Sequence, residues 1–185
     1  INAVLRNFIR KNNNNFWVKK TEEWVINNHP KWLFEKLKSN WPNCWERLLK
    51  YNNSPPPMTL RVNLKKITRG NYQKLLNELK IENDIDELAP AGIRLKKPID
   101  VYSLPKFKNG FVSVQDSGAQ LAANLINATP GMKILDACSA PGGKLAHLGE
   151  TYEINKLLAI DKNEYRLKKV NENLVRLNIE AKLVC

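Results

Sequence analysis

The stretch ILDACSAPGGK, Ile134–Lys144, decides how the second half of this chain is read. Apolar residues lead into Asp136, and a Pro141-Gly142-Gly143 turn then leads into Lys144. That order is a strand running into a tight turn and on into a helix. Working outward, Lys133–Ala137 is expected as the strand, Lys144–Glu150 as the start of the helix, and Leu157–Ile160 as a second strand. The next helix carries Leu167, Val170, Leu174 and Leu177 at spacing i, i+3, i+7, i+10, one face of a 3.6-residue period. Ala181–Val184 then opens a third strand. This is the beginning of a doubly wound α/β (Rossmann-like) sheet. Such sheets run to about five strands or more. The chain is therefore expected to be a fragment, in keeping with an Ile rather than a Met at position 1.

Three nucleotide-type ligands compete for the turn. A phosphate-binding loop of the form G-x-x-x-x-G-K-[ST] fails twice, with Cys138 where the first Gly belongs and Leu145 after the lysine. A dinucleotide fingerprint, G-x-G-x-x-G, fails because Ala140-Pro141-Gly142-Gly143 lacks the spacing. An S-adenosylmethionine (SAM) turn fits. It needs glycines for close backbone approach, and a carboxylate for the ribose at the end of the next strand, roughly 20 residues on. Asp161 ends LLAID 18 residues after Gly143, and Asp136 stands where it can meet the methionine amino group. A charged side chain at Gly143 is expected to obstruct the turn. Each residue also has a plain structural role open to it. Asp161 can cap the following helix, Lys144 can be solvated, and Cys138 suits a small buried residue better than a nucleophile, since the one histidine close by, His147, is nine residues on.

Upstream, Ile1, Val4, Leu5, Phe8 and Ile9 lie on one face of a helix, and Asn12–Asn15 read as a linker. A short helix from Thr21-Glu22-Glu23, a helix from Pro30 with Trp32, Leu33, Phe34 and Leu37 inward, and a helix from Pro42 with Trp45, Leu48 and Leu49 inward follow. Met58–Leu64 alternates, which predicts a half-buried strand with Thr59, Arg61 and Asn63 facing out. An amphipathic helix holds Tyr72, Leu75, Leu76 and Leu79, short strands are expected at Gly92–Leu95, Ile99–Leu104 and Phe111–Val114, and a helix carries Leu121, Ala122, Leu125 and Ile126. The predicted domains are 1–19 (helix and linker), 20–108 (a small α+β domain) and 109–185 (the first half of the doubly wound domain).

The formal charge of +12 is unevenly placed: residues 1–110 hold 21 Lys+Arg against 10 Asp+Glu, while residues 111–185 hold 9 against 8. A uniform compositional bias would make both halves basic, so the first half is expected to bind a polyanion. Arg61, Lys65, Lys66, Arg69, Lys96 and Lys97 are the candidate phosphate contacts. All five tryptophans (Trp17, Trp24, Trp32, Trp41, Trp45) lie early and could stack bases, although helical spacing favours Trp32 and Trp45 for the core. Three separated cysteines (Cys44, Cys138, Cys185) suit neither a metal site nor a disulfide framework, which points to a reducing cytoplasm. No apolar run reaches the length of a membrane span, and no signal-peptide pattern is visible.

The motifs together resemble one family. ILDACSAPGGK is similar to the first SAM motif of the RNA cytosine-5 methyltransferases, and FVSVQDSGAQLAANLI resembles the segment before that motif in their RsmB (Fmu/Sun) group. HPKWLFEKL and PPPMTLRVN resemble two markers of the group's RNA-binding region, and INAVLRNFIR resembles the last helix of its NusB-like domain. The matches keep their order over nearly the whole chain, with small departures at Ser139 and Leu145. The resemblance implies an RNA-binding α+β domain followed by part of a SAM-dependent methyltransferase domain. It implies methylation of a cytosine at C5 in 16S ribosomal RNA, with Cys138, Ser139, Ala140, Pro141, Gly142, Gly143 and Lys144 lining the SAM pocket and Asp161 on the ribose. In that chemistry a thiolate adds to C6 so that C5 can attack the methyl group. The family's nucleophile sits in a Thr-Cys motif with a helper in a Pro-Cys motif. This sequence has neither dipeptide, so no catalytic residue is expected in this chain, and the fragment alone is expected to be inactive. A cytoplasmic monomer acting on 16S RNA, with no metal, is the expected whole. Methylation of another RNA such as tRNA, a non-catalytic RNA-binding protein, and an NAD-linked enzyme are the alternatives.

Overall fold

The computed structural model describes residues 2–11 and 22–185. The expected helix start at Thr21, the asparagine linker and Trp17 lie outside the described residues. The chain divides into two compact units, Ile1–Pro56 and Pro57–Cys185. Among the described residues no helix is long and apolar enough to cross a membrane.

The first unit is helical: α1 (Asn2–Lys11), α2 (Glu23–Ile26), α3 (Lys31–Asn40) and α4 (Trp45–Asn52). Among the described residues Phe34 and Leu49 are its buried apolar side chains, and Trp45 meets Phe34 edge-on at 5.3 Å. Trp32, expected inward, is 65% exposed, because the inward stripe of α3 is Leu33, Phe34 and Leu37 and Trp32 falls beside it. Pro42 does not start α4; it sits in a turn, and Cys44 occupies the N-cap position.

The second unit opens with an antiparallel sheet. Its strands are β1 (Met58–Val62), β2 (Asn83–Ile85), β3 (Gly92–Leu95) and β4 (Val112–Val114), in the order β2-β3-β1-β4. Helix α5 (Arg69–Glu78) joins β1 to β2, and Thr68 caps it by accepting from Asn71 N. Leu60, Val62, Tyr72, Leu76, Ile93, Leu95, Leu104 and Val112 form the core. The Tyr72 hydroxyl donates to Pro105 O at 2.9 Å. The strand expected at Ile99–Leu104 is instead a 3-10 turn, Val101–Ser103, because the Asp100 carboxylate accepts from Tyr102 N and curls the backbone. Strand β4 lies beyond residue 108 yet pairs with β1, Leu60 opposite Val114, so the antiparallel sheet reaches across the predicted boundary.

Sheet alternation misplaces one face of β1. Thr59 and Arg61 are both buried, because the face opposite Leu60 and Val62 is covered by the rest of the unit.

The second sheet is parallel, in the order β5-β6-β7, with β5 (Lys133–Asp136), β6 (Lys156–Ile160) and β7 (Lys182–Val184). Helices α6 (Ser117–Ile126), α7 (Gly143–Thr151) and α8 (Glu164–Leu177) accompany it. Leu167, Val170, Leu174 and Leu177 are all buried, as their spacing predicts, and pack with Leu145, Ala146, Leu157 and Ala159. Helix α6 is turned from the predicted orientation. It buries Ser117, Gln120 and Ala123 and leaves Leu125 83% exposed, because Gln120 donates inward to Leu60 O and Gln115 O. Strand β5 pairs only with β6 among the described strands, and its Leu135 is 55% exposed.

Asp86 ties α6 to the antiparallel sheet. Its buried carboxylate accepts from the Ser117 hydroxyl, from Leu88 N and Ala89 N, and from Arg94 Nη2 at 3.1 Å. Burial pushes its pKa up, but these donors outweigh burial and the carboxyl titrates below its ordinary range. Asp86→Ala strands the donors and should cost about 2–4 kcal/mol, read as a lowered urea midpoint with an unchanged slope.

Candidate functional site

Two carboxylates stand at the C-terminal ends of adjacent parallel strands, Asp136 at the end of β5 and Asp161 just past β6. In open α/β sheets this end of the strands is where ligands bind. Between them runs the turn, from Cys138 to Gly143. Asp136 Oδ1 accepts from Cys138 N at 3.3 Å, and Asp161 Oδ2 accepts from Ala140 N at 3.2 Å. Each acid thus grips the turn by a backbone N–H. Asp161 does not cap α8; Asn163 does, accepting from Arg166 N. Asp161 Oδ1 instead accepts from Asn163 N at 3.1 Å. Asp161 Oδ2 also pairs with Arg166 Nη1 at 3.5 Å; a carboxylate has about four acceptor positions, so Asp136 keeps most of its acceptor capacity and Asp161 the smaller remainder.

The carbonyls of the turn are also held. Ala140 O accepts from Arg166 Nη2 at 2.9 Å, Pro141 O from Asn173 Nδ2 at 3.1 Å, and Gly143 O from Arg61 Nη1 at 2.7 Å. The Ala140–Pro141 peptide bond is cis. Gly142 takes φ +95°, in the left-handed region, and a Cβ there would stand 3.1 Å from Val170 Cγ1. Gly143 begins α7, and a Cβ there would meet only Gln115 Nε2, at 3.7 Å. The glycine requirement therefore rests on Gly142 rather than on Gly143. With its carbonyls occupied, the turn offers the first-turn N–H groups of α7, a helix N-terminus suited to polar or anionic groups.

Ser139, Ala140 and Gly142 are buried, Gly143 is half-buried, and Cys138, Pro141 and Lys144 are exposed. Cys138 is a correction. Expected as a buried small residue, it faces solvent on the rim of the turn, because Asp136 pulls its N–H rather than its side chain inward. A groove of about 200 Å³ runs beside the turn, lined by Ala123, Ile126, Ile134, Asp136, Ala137 and Lys144.

The predicted phosphate contacts fare differently. Arg61 is overturned: its side chain is 0% exposed and forms a bidentate ion pair with Glu150, 2.9 Å on both arms, so it has no surface to offer an RNA. Arg69 donates to Asp86 O and Ala89 O, Lys65 to Gly149 O and Tyr152 O at the end of α7, and Lys66 to Asn109 O. Lys96 pairs with Asp84. Lys97 is exposed and makes no ion pair or hydrogen bond among the described residues. The sequence reading missed a basic and aromatic segment beside them. Lys106 stands 4.8 Å over the Phe111 ring and Lys108 5.8 Å over Tyr102. Its signal was the K-F-K run at 106–108 between two aromatics.

His147, on α7, is buried; burial first, and then the Arg61 charge, push its pKa down to about 4, so its ring is neutral at pH 7.

Residues 29–102 match the family described as RsmF/B-like methyltransferase, ferredoxin-like domain, and residues 123–185 match 16S rRNA methyltransferase RsmB/F. The chain is 42% identical over 187 residues to ribosomal RNA small subunit methyltransferase B of Vibrio vulnificus, covering 100% of this chain and 43% of that protein. It is 43% identical over 185 residues to the protein of the same name from Pseudomonas syringae pv. tomato, covering 100% and 41%. The chain thus spans about two fifths of the length of these curated relatives. Among solved structures, a methyltransferase homolog protein from Pyrococcus horikoshii matches with a TM-score of 0.75 at 25% identity, over 87% of this chain and 54% of that one.

Two outcomes check this geometry. Gly142→Ala should destabilise the protein by about 1–3 kcal/mol through left-handed strain and the Val170 contact, while Gly143→Ala should stay within about 1 kcal/mol; equal losses in urea melts would contradict the assignment. His147 takes up a proton near 6.5 when unfolded and near 4 when folded. Its folded pKa is lowered, so its contribution is full above 6.5 and is lost as pH falls towards 4. Stability should decline over that window, and His147→Gln should flatten the decline.

Proposed function

Because this chain belongs to the RsmB/F family of 16S ribosomal RNA methyltransferases, we propose that it is the RNA-positioning and cofactor-holding part of an enzyme that methylates a cytosine at C5 in 16S ribosomal RNA. The observation that carries the reading is the grip of Asp161 on Ala140 N, which sets a buried carboxylate against a glycine turn at the end of adjacent parallel strands. The residues fit SAM. Asp161 has acceptor capacity for ribose hydroxyls, Asp136 can accept from the methionine ammonium, and the α7 N-terminus lies between them. SAM supplies a methyl group on a sulfonium, ready for transfer to a carbon nucleophile. Cys138, Ser139, Ala140, Pro141, Gly142, Gly143 and Lys144 form the wall against which it rests.

The attacking thiolate that activates the cytosine lies outside this chain. None of Cys44, Cys138 and Cys185 follows a Pro or a Thr, and Cys138 is exposed on the rim of the turn. The exposed leucine on β5 and that strand's open edge fit a domain to which further polypeptide adds. RNA contact falls to Lys97, Lys106, Lys108 and exposed Tyr102, which join cations to aromatic faces in one segment. The cations already bonded to backbone carbonyls contribute less.

The test uses the full-length protein containing this chain, SAM with a labelled methyl group, and naked 16S RNA beside tRNA. Label recovered as 5-methylcytidine from 16S RNA is the expected result. Label in tRNA alone would move the substrate, and no transfer from SAM to any RNA would overturn the reading. Cys138→Ala should keep most of the transfer; its complete loss in a folded protein would make Cys138 a participant.

A further inference from the structure

Arg61 belongs to the antiparallel sheet, yet it spends its whole side chain on the cofactor side of the unit. Nε and Nη2 donate to the two carboxylate oxygens of Glu150, each at 2.9 Å. Nη1 donates to Gln115 Oε1 at 2.6 Å and to Gly143 O at 2.7 Å. Four donor contacts run from β1 to the residue following β4 and to both ends of α7. Gly143 and Glu150 are seven residues apart, two turns on one face of the helix. Helical side chains lean towards the N-terminus, which brings the Glu150 carboxylate back towards Arg61. An acid in the last turn of a helix is opposed by the helix dipole. Its presence there is explained by the pair and not by the helix.

We propose that Arg61 is a positioning residue for the cofactor turn: it locks the first carbonyl of α7, and with it the direction of the helix's free N–H groups, to the sheet that carries the RNA-facing surface. Arg166 and Asn173 hold the Ala140 and Pro141 carbonyls from α8, so among the described residues Arg61 is the tie to the turn that comes from the antiparallel sheet. Gln115 orients the guanidinium, and Glu150 neutralises it where both side chains are buried. The antiparallel sheet and the cofactor turn then move as one piece. This inference rests on the turn being the SAM site.

Removing one partner of a buried pair strands a charge, and such a protein can fail for reasons unrelated to the turn. The informative variant is therefore the double substitution Arg61→Met with Glu150→Leu, since replacing a whole buried pair by apolar groups of similar size is often neutral for stability. In the full-length protein the double variant should keep its melting temperature and its KM for 16S RNA, while KM for SAM rises about tenfold, equivalent to ~1.4 kcal/mol of binding. A stable double variant with unchanged KM for SAM would overturn the proposal and make the pair structural only. Should that variant not fold, Arg61→Lys decides: it keeps the charge facing Glu150 but loses the fork. A several-fold rise in KM for SAM alone supports positioning, and parallel changes in both KM values, or none, overturn it. A wild-type protein that transfers no methyl group from SAM would instead show that the reading of the site had failed, before any variant is compared.

Discussion

The aim of the glycine turn in the larger unit rests on one buried ion pair. Arg61 and Glu150 are taken almost wholly out of water, and a pair so placed is tolerated only when most remaining donors and acceptors are also met. Gln115 and the Gly143 carbonyl take both Nη1 protons, so four of the five guanidinium N–H groups are paired. The consequence is geometric. Strand β1, the exit of β4 and helix α7 must all sit where the guanidinium can reach them, which fixes the antiparallel sheet against the start of the parallel one.

A second arginine makes the reverse connection. Arg176, on α8, donates to Phe107 O and Val112 O and to the Ser113 hydroxyl, and its guanidinium lies 4.2 Å from the Phe107 ring. Gly110 lets that crossing close up, since a Cβ there would stand 2.6 Å from Arg176 O. Arg61 thus reaches from the antiparallel sheet to the first carbonyl of α7, and Arg176 reaches from α8 to the backbone around β4. Between the two lies a cavity of about 170 Å³ lined by Arg61, Phe107, Gly142, Gly143, Asn173 and Arg176.

The family match and the geometry support the same assignment from different directions. The match covers the ferredoxin-like and methyltransferase segments separately. The geometry shows how the connection between them, residues 103–122, is built: 3-10 turns, then β4, then the N-cap of α6 on Asp116. Basic charge in the first 110 residues is only partly available to a polyanion, because several of those cations are already engaged with backbone carbonyls or buried acids.

What the sequence alone determined was local and periodic. The strand–turn–helix at Ile134–Lys144, the buried stripe of α8, and Asp161 at the end of the second parallel strand were all legible, since each is set by spacing along one element. The resemblance to a family was legible for the same reason: motifs are short runs in order. Tertiary structure decided everything that depends on what covers a face. Alternation in β1 sends Arg61 to the side opposite Leu60, and nothing in a period of two says whether that side meets water or a helix carrying Glu150. Helix α6 could not be oriented from its leucines, because a buried glutamine bonded to Leu60 O outweighed them. Trp32 lay outside by one helical position, and Cys138 by the pull of one carboxylate. Local period sets which residues share a face; only the packed neighbour, with its charges and hydrogen-bond partners, sets whether that face is inside.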